Sequence, residues 1–222
     1  MKPLQKYIDH TLLKPTATKQ DIKILCHEAK KHHFFSVCIN SGYIKLAKEE
    51  LQKSEVKICG VVGFPLGAMS SESKLFEAQS ALSDGADEID MVINIGLLKS
   101  RDYDAFANDI TNIKKIMPNK ILKVILETCY LNDDEIIKAS SIAIECGADF
   151  IKTSTGFGNE GATMKNIRLM KYAARKSNTK LKASGGIRNY NIAKEFIDLG
   201  VDRLGLSSSI AIVDGSTGTS DY

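Results

Sequence analysis

The seven residues ECGADFI, 145–151, carry the signal from which the fold can be predicted. A glycine after an amphipathic segment is a common helix stop, and the apolar residues that follow it can begin a strand. The same punctuation occurs in DGADEID, 84–90, and in DLGVDRL, 198–204. The chain therefore passes repeatedly from helix to strand through a short turn.

Outward from these stretches, β-rich runs alternate with segments of helical period. The eight candidate strands are YIDHTLL, FFSVCIN, VKICGVVGF, EIDMVINI, ILKVILET, DFIKTST, KLKASGG and DRLGLSS. The 222 residues divide into eight units of about 28 residues, the size of one strand and one crossover helix. We therefore predict an α/β chain with one (β/α)8 TIM-barrel domain over residues 1–213 and a flexible polar tail over residues 214–222. The alternative is an open doubly wound sheet, which the glycine-free segment after the first strand disfavours.

Composition argues against several classes of function. The 30 Lys and Arg residues nearly balance 27 Asp and Glu residues and are scattered, so we predict no nucleic-acid partner. No stretch approaches the ~20 apolar residues of a membrane span, and the N-terminus lacks the apolar centre of a signal peptide. We expect a cytoplasmic protein without a membrane partner. Five cysteines without a CxxC pair predict reduced thiols and no metal site.

Polar residues that alternate along a candidate strand identify the face turned toward the barrel interior. In EIDMVINI, Asp90 shares this face with Glu88 and Asn94. The same count assigns to the interior face the pairs Asp9 and Thr11, Lys152 and Ser154, and Lys182 and Ser184. Because barrels carry their chemistry at the C-terminal ends of the strands, we expect Asp90, Lys152 and Lys182 to converge there.

Two inward lysines on neighbouring strands repel each other, and burial acts in the same direction. The pKa of one amine should therefore fall from about 10.4 toward 7 or 8. A neutral amine attacks a carbonyl, and the resulting Schiff base stabilises the carbanion that forms when the adjacent carbon–carbon bond breaks. Asp90 would move protons through water. The alternatives are a snorkelling or ion-paired role for Lys152 or Lys182, and a purely ion-pairing role for Asp90.

The motifs EIDMVINIG, FIKTSTGF, LKASGGIR, GFPLGA and IDHTLL together resemble the deoxyribose-phosphate aldolase family, from about Lys6 to Val213. The resemblance implies reversible cleavage of 2-deoxy-D-ribose 5-phosphate to D-glyceraldehyde 3-phosphate and acetaldehyde, in deoxyribose catabolism and without a cofactor. It implies that Lys152 forms the Schiff base, that Lys182 lowers the pKa of that lysine and takes part in proton transfer, and that Asp90 is the acid–base residue. We also expect a homo-oligomer, either a dimer or a tetramer.

A glycine pair, Gly185 and Gly186, follows the seventh strand. Backbone amides at the start of a helix bind anions, and barrels often build phosphate sites after strands seven and eight. With the resemblance, this predicts a substrate and phosphate site formed by Asp9, Ser154, Gly156, Gly185, Gly186, Arg188, Gly205, Ser207 and Ser208. A simple turn is the alternative explanation of the glycine pair.

Two further residues are candidates through the resemblance. Cys38 matches a family cysteine near the substrate, with core packing as its alternative. Tyr222 matches a terminal tyrosine that assists proton abstraction in some members, with a disordered tail as its alternative. Leu206 and Ser209 replace residues that are usually small in the family, which puts the fine geometry of the phosphate site in question.

Two rival functions remain open at this point. One is another Schiff-base aldolase with a different donor, such as a transaldolase-like enzyme; the order of the motifs favours the first assignment over it. The other is a phosphosugar-binding barrel without turnover. The intact set of Asp90, Lys152 and Lys182 argues against that second rival.

Overall fold

A computed structural model describes residues 2–218, which form a closed barrel of eight parallel strands. The strands are β1 (Ile8–Leu12), β2 (Ser36–Ile39), β3 (Lys57–Val62), β4 (Glu88–Val92), β5 (Ile121–Ile125), β6 (Phe150–Lys152), β7 (Lys180–Ser184) and β8 (Arg203–Leu206). They follow one another around the barrel in chain order, and β1 pairs with β8 to close it. The predicted single-domain (β/α)8 TIM barrel is confirmed, and the open sheet is excluded.

Helices separate the strands. In the described part of the chain they are α1 (Lys19–Lys31), α2 (Ile44–Glu50), α3 (Ser71–Ser83), α4 (Ile95–Lys99), α5 (Tyr103–Ile116), α6 (Asp133–Glu145), α7 (Met164–Ala174), α8 (Tyr190–Asp198) and α9 (Ser209–Val213). Short 3-10 turns cover Leu4–Tyr7, Ser41–Tyr43 and Thr128–Tyr130. Local sequence fixes several starts: α6 begins with a capping box in which Asn132 and Glu135 bond each other's backbone amides.

The three helix-stop glycines behave as the sequence predicts. Gly85, Gly147 and Gly200 have φ values of +109°, +86° and +102°, a region that side chains with a Cβ rarely adopt. In each turn the residue after the glycine donates its amide to a carbonyl five residues back, as Ala148 does to Ala143. The chain is thereby turned from the helix layer into the next strand.

The main apolar core lies between the strands and the helices. Ile89 and Met91 of β4 are fully buried in it, while the alternate residues Glu88 and Asp90 point into the barrel. The strand ends at Val92, earlier than the run EIDMVINI suggests. Asn94 is not on the inner face of the strand, because its side chain caps α4 by accepting the amide of Leu97 at 3.2 Å.

The chain beyond α9 is described as far as Gly218. Gly218 is buried, and its amide donates to the carbonyl of Arg188 at 2.7 Å. The predicted tail over residues 214–222 therefore starts with a segment that returns to the β7–α8 loop, and the domain boundary at Val213 stays a prediction. Within residues 2–218, no helix has both the length and the apolar character that crossing a bilayer requires.

Candidate active site

Three polar side chains from β4, β6 and β7 meet inside the barrel. Lys152 and Lys182 donate to the same carboxylate oxygen, Oδ2 of Asp90, each at 2.8 Å. Asp90 and Lys182 are fully buried, and Lys152 is 2% exposed. Because Lys152 and Lys182 are paired in register on neighbouring strands, their side chains reach the same point. The structure thus brings together the three residues that the sequence analysis selected.

A fourth residue of this cluster, Lys123 on β5, was missed by the sequence analysis. Its Nζ lies 2.7 Å from Oδ1 of Asp90 and 2.6 Å from Glu88, and the side chain is fully buried. Cys59 on β3 also donates to Oδ1 of Asp90, at 3.1 Å. The signal was present in the sequence, since the alternation rule applied to ILKVILET turns Lys123 inward.

Asp9 lies with the lysines and not with the residues of the predicted phosphate site. Its carboxylate bonds Lys182 through Oδ2 and Arg203 through Oδ1, the latter at 2.7 Å, and Ser36 donates to the same Oδ1. Arg203 also lies 3.4 Å from Glu88. Asp9 therefore belongs to a buried charge network that joins β1 to β7 and β8.

Opposite charges set the protonation states of this network. Burial alone would raise the pKa of Asp90, but Lys123, Lys152 and Lys182 outweigh it and hold that pKa well below its usual range. Burial alone would lower the pKa of Lys182, but Asp9 and Asp90 outweigh it and hold the pKa above its usual value. Of the two catalytic candidates, Lys182 is therefore an ammonium ion at neutral pH. The predicted fall in the pKa of one lysine stays a prediction.

Asp9 gives a test of the network through protein stability. Arg203, Lys182 and Lys123 overcome the effect of burial and hold the pKa of Asp9 below its usual range. Asp9→Asn is expected to lower the free energy of unfolding by about 3–5 kcal/mol at pH 7, because it removes the carboxylate that Lys182 and Arg203 share and leaves their buried positive charge less well compensated. A carboxyl group whose pKa is lower in the folded protein stabilises the fold at pH values above its unfolded-state pKa of about 3.9. This stabilisation is lost as the pH falls from there toward the folded-state pKa.

The difference between wild type and Asp9→Asn should accordingly shrink by about 1.4 kcal/mol per pH unit below about pH 4. Urea unfolding from pH 7 to pH 3 measures it. The exposed Asp104 on α5 is the matched control, and Asp104→Asn should change stability by less than about 1 kcal/mol. A difference for Asp9→Asn that stays constant down to pH 3 would show that Asp9 is not held ionised.

A cavity of about 230 Å³ opens among the ends of β6, β7 and β8 and the loops that follow them. Six predicted phosphate-site residues line it: Gly156, Gly185, Gly186, Arg188, Gly205 and Ser207. Gly205 joins the cavity to the charge network, since a Cβ at this position would lie 3.2 Å from Cε of Lys182. Of the other predicted members, Ser208 is buried beside Gly218, and Ser154 is buried beside Gly185, so neither lines the cavity.

The loop between β6 and α7 contributes Gly158, Asn159, Glu160 and Gly161 to the cavity, which the sequence analysis did not identify. This loop lies against the glycine pair after β7. A Cβ on Gly161 would come within 2.2 Å of the carbonyl oxygen of Gly185, so only glycine fits there. The position of such a loop depends on a contact between two distant segments, so the local sequence does not predict that its residues line a cavity.

Glu127, just after β5, holds the start of this loop. Its backbone is left-handed, with φ of +52°, and its buried carboxylate accepts the amide and the hydroxyl of Thr155. Burial raises the pKa of Glu127, and the hydrogen bonds from Thr155 oppose that shift. A non-glycine residue keeps this left-handed conformation only when its surroundings hold it. For Glu127 these surroundings include Thr155, which follows the strand that carries Lys152.

Cys38 is fully buried beside Cys59 on the neighbouring strand. A hydrogen bond from Cys59 lowers the pKa of Cys38. Their sulfurs and the carboxylate of Asp90 lie within 4.8 Å of one another, a spacing that a metal ion could use. Asp90 already accepts from the amino groups of three lysines, so a metal ion would have to displace one of them. The predicted lack of a metal stays a prediction, and Tyr222 lies outside the described residues.

Comparison with known proteins finds related aldolases. A family model described as DeoC/LacD family aldolase matches residues 4–201. The deoxyribose-phosphate aldolase of Finegoldia magna is 54% identical over 212 residues, which cover 96% of this chain and 99% of the relative. That of Thermococcus gammatolerans is 52% identical over 217 residues, 96% of each chain. The tetrameric deoxyribose phosphate aldolase structure from Aeropyrum pernix superimposes with a TM-score of 0.89 at 33% identity, covering 95% of this chain and 89% of the other.

Proposed function

The chain belongs to the DeoC/LacD aldolase family, and from this premise we propose that it cleaves 2-deoxy-D-ribose 5-phosphate reversibly through a Schiff base on Lys152. The products are D-glyceraldehyde 3-phosphate and acetaldehyde, as for a class I aldolase of deoxyribose catabolism. The observation that carries the proposal is the single carboxylate oxygen of Asp90 that Lys152 shares with Lys182.

The covalent steps follow from amine chemistry. The neutral amine of Lys152 adds to the C1 aldehyde of the open-chain sugar, and loss of water from the adduct leaves a protonated imine. The C3 hydroxyl then loses its proton, the C2–C3 bond breaks, and its electrons pass to the imine as an enamine. Glyceraldehyde 3-phosphate leaves, C2 of the enamine takes a proton, and water hydrolyses the imine to acetaldehyde and free Lys152.

Asp90 and Lys182 support the proton transfers. Asp90 contacts Lys152 directly, so it can accept a proton as the adduct forms and return it when water leaves. Lys182 keeps its ammonium charge beside that carboxylate and disfavours a second ammonium ion on Lys152. A buried site in which charges are already fixed in place stabilises such steps better than mobile water does.

The test of the activity is the coupled detection of glyceraldehyde 3-phosphate released from 2-deoxyribose 5-phosphate. Sodium borohydride added with the sugar should reduce the imine and leave a permanent mass increase on the peptide that contains Lys152. A label on another lysine would overturn the assignment. Dihydroxyacetone donors test the transaldolase-like rival, which the family match disfavours, and phosphate binding without product would support the non-catalytic rival.

We place the substrate phosphate in the cavity beside Gly185 and Gly186. Both glycines have positive φ values, +84° and +74°, and follow β7 at the C-terminal end of the barrel. Arg188 supplies a cation to the same cavity. Backbone amides and a guanidinium group are the donors that bind phosphate oxygens in barrels of this kind.

Gly186→Ala is expected to raise the KM for 2-deoxyribose 5-phosphate about tenfold, because a methyl group enters the phosphate cavity. The KM for unphosphorylated 2-deoxyribose should change by less than about twofold. Steady-state kinetics with both sugars separates the two. Gly215→Ala is the matched control: both positions have φ near +75°, at +74° and +79°, and a Cβ at either meets no atom within 4 Å. If Gly186→Ala and Gly215→Ala raised the KM equally, or if Gly186→Ala raised the KM for both sugars equally, the phosphate would not bind beside Gly186.

We further propose that the protein acts in the cytoplasm as a homo-oligomer, either a dimer or a tetramer. A phosphorylated sugar substrate supports the location, and the tetrameric relative from Aeropyrum pernix supports self-association. Light scattering of the eluted peak in size-exclusion chromatography measures the number of copies.

A further inference from the structure

The buried lysine on β5 has no part in the steps above, yet it touches the carboxylate on which they depend. We propose that Lys123 is a positioning residue of the reaction: it holds one oxygen of Asp90 so that the other oxygen is left for Lys152 and Lys182. This inference rests on the proposed aldolase function. It assigns Lys123 an effect on the acid–base behaviour of the site and not only on the stability of the barrel.

The contacts of Asp90 are divided between its two oxygens. Oδ1 accepts from Lys123 at 2.7 Å and from Cys59 at 3.1 Å, while Oδ2 accepts from Lys152 and Lys182, each at 2.8 Å. A carboxylate can accept about four hydrogen bonds, so both oxygens are fully used. The terminal torsion of aspartate is soft, and a group that holds Oδ1 therefore decides where Oδ2 points.

The charges around Asp90 are also divided unevenly. In the described barrel interior, the basic side chains of Lys123, Lys152, Lys182 and Arg203 face the carboxylates of Asp9, Glu88 and Asp90. Lys123 lies within 4 Å of all three carboxylates, and Lys182 and Arg203 each contact two of them. Lys152 contacts Asp90 alone. Of these four basic side chains Lys152 thus has the least carboxylate contact, partly because Lys123 takes up the charge of Glu88 and Asp90.

The groups that face Lys123 come from several strands. Asp9 on β1, Cys59 on β3, and Glu88 and Asp90 on β4 lie within contact distance. The positive charge of Lys182 on β7 also acts on this cluster. Removal of Lys123 would leave Asp90 to neutralise Lys152 and Lys182 more completely. The ammonium form of the Schiff-base lysine would be favoured, and turnover would require a higher pH.

The experiment is the pH–rate profile of kcat/KM for 2-deoxyribose 5-phosphate in Lys123→Met, which keeps an unbranched side chain and removes the charge. We expect activity at pH 7 to fall about 30-fold and the acid limb of the profile to move up by about one pH unit. Lys123→Arg retains the charge and should restore the wild-type position of the limb. Lys74→Met is the matched control, because Lys74 is also fully buried and pairs with Asp109, but between α3 and α5.

Lys74→Met should have a lower free energy of unfolding but leave the acid limb of the pH–rate profile where it is in the wild type. If kcat/KM of Lys123→Met is lower at every pH but the acid limb keeps its wild-type position, the proposal is overturned. If Lys123→Met does not fold, Glu88→Gln is the deciding variant, because it removes the carboxylate 2.6 Å from Lys123 and leaves the charge of Lys123 to Asp90 and the more distant Asp9. The acid limb should then move to lower pH, and an unmoved limb would again reject the role. Wild-type turnover is measured in the same assay, so failure of the aldolase function would be seen separately.

Discussion

Lys152→Ala is expected to abolish turnover of 2-deoxyribose 5-phosphate, with kcat reduced more than about a thousandfold. The variant lacks the Lys152 amine that attacks the aldehyde, so no imine forms and the C2–C3 bond keeps its electrons. The barrel should remain folded, because Asp90 keeps Lys123 and Lys182 as partners when Lys152 is removed. Circular dichroism and coupled release of glyceraldehyde 3-phosphate measure the two properties.

Lys180→Ala is the control for this variant. Lys180 lies at the exposed start of β7, two residues before Lys182, and Lys180→Ala should leave turnover within about twofold of wild type. Residual activity of Lys152→Ala above about one per cent would contradict the nucleophile assignment. So would borohydride labelling of the variant by the substrate at the wild-type rate.

Lys182→Leu should lower kcat by about 10²- to 10³-fold and move the pH optimum upward. Lys182 holds its proton because Asp9 and Asp90 both contact it, and its charge discourages protonation of Lys152 on the neighbouring strand. Without that charge, the neutral amine is populated only at higher pH. The pH–rate profile of kcat/KM reports this change for the free enzyme.

Lys182→Arg separates charge from proton transfer. The guanidinium group keeps the charge but does not deprotonate, so the profile should keep its position while kcat falls. The ion pairs of Lys182 also support the fold at neutral pH. A raised folded-state pKa contributes stability that is present below the unfolded-state value of about 10.4 and lost as the pH rises through the folded-state value. An unchanged profile in Lys182→Leu would contradict the coupling between the two lysines.

The periodic part of this structure could be predicted from the sequence. All eight strands were found because each candidate run is β-rich and several are preceded by a glycine that the structure places at positive φ. Alternation then turned Asp90, Lys152 and Lys182 inward, and the structure joins them through hydrogen bonds. Short helices such as α4 were not predicted. In the sequence Asn94 continues the strand pattern of EIDMVINI, and only the structure shows that its side chain caps a helix.

Other features depend on contacts between distant segments. The cavity loop from Gly158 to Gly161 takes its position from Gly185, more than twenty residues away, and no local pattern encodes that contact. Asp9 was assigned to the substrate and phosphate site from its inward position and the resemblance, whereas the structure shows it paired with Lys182 and Arg203. The repulsion between Lys152 and Lys182 was anticipated. Without distances, however, the sequence could not show that Asp9 and Asp90 outweigh that repulsion and keep Lys182 charged.

The closure of the barrel through β1 and β8 has a consequence for biosynthesis. Asp9 is made well before its partner Arg203, which lies 194 positions later in the chain. Pairings of such sequence separation form late, since a long loop must close before they stabilise anything. On the ribosome, the carboxylate of Asp9 stays without Arg203 until nearly all of the barrel has emerged. The charge network that would poise Lys152 for catalysis is then completed only as the last strand docks, so a nascent chain should not act on aldehydes.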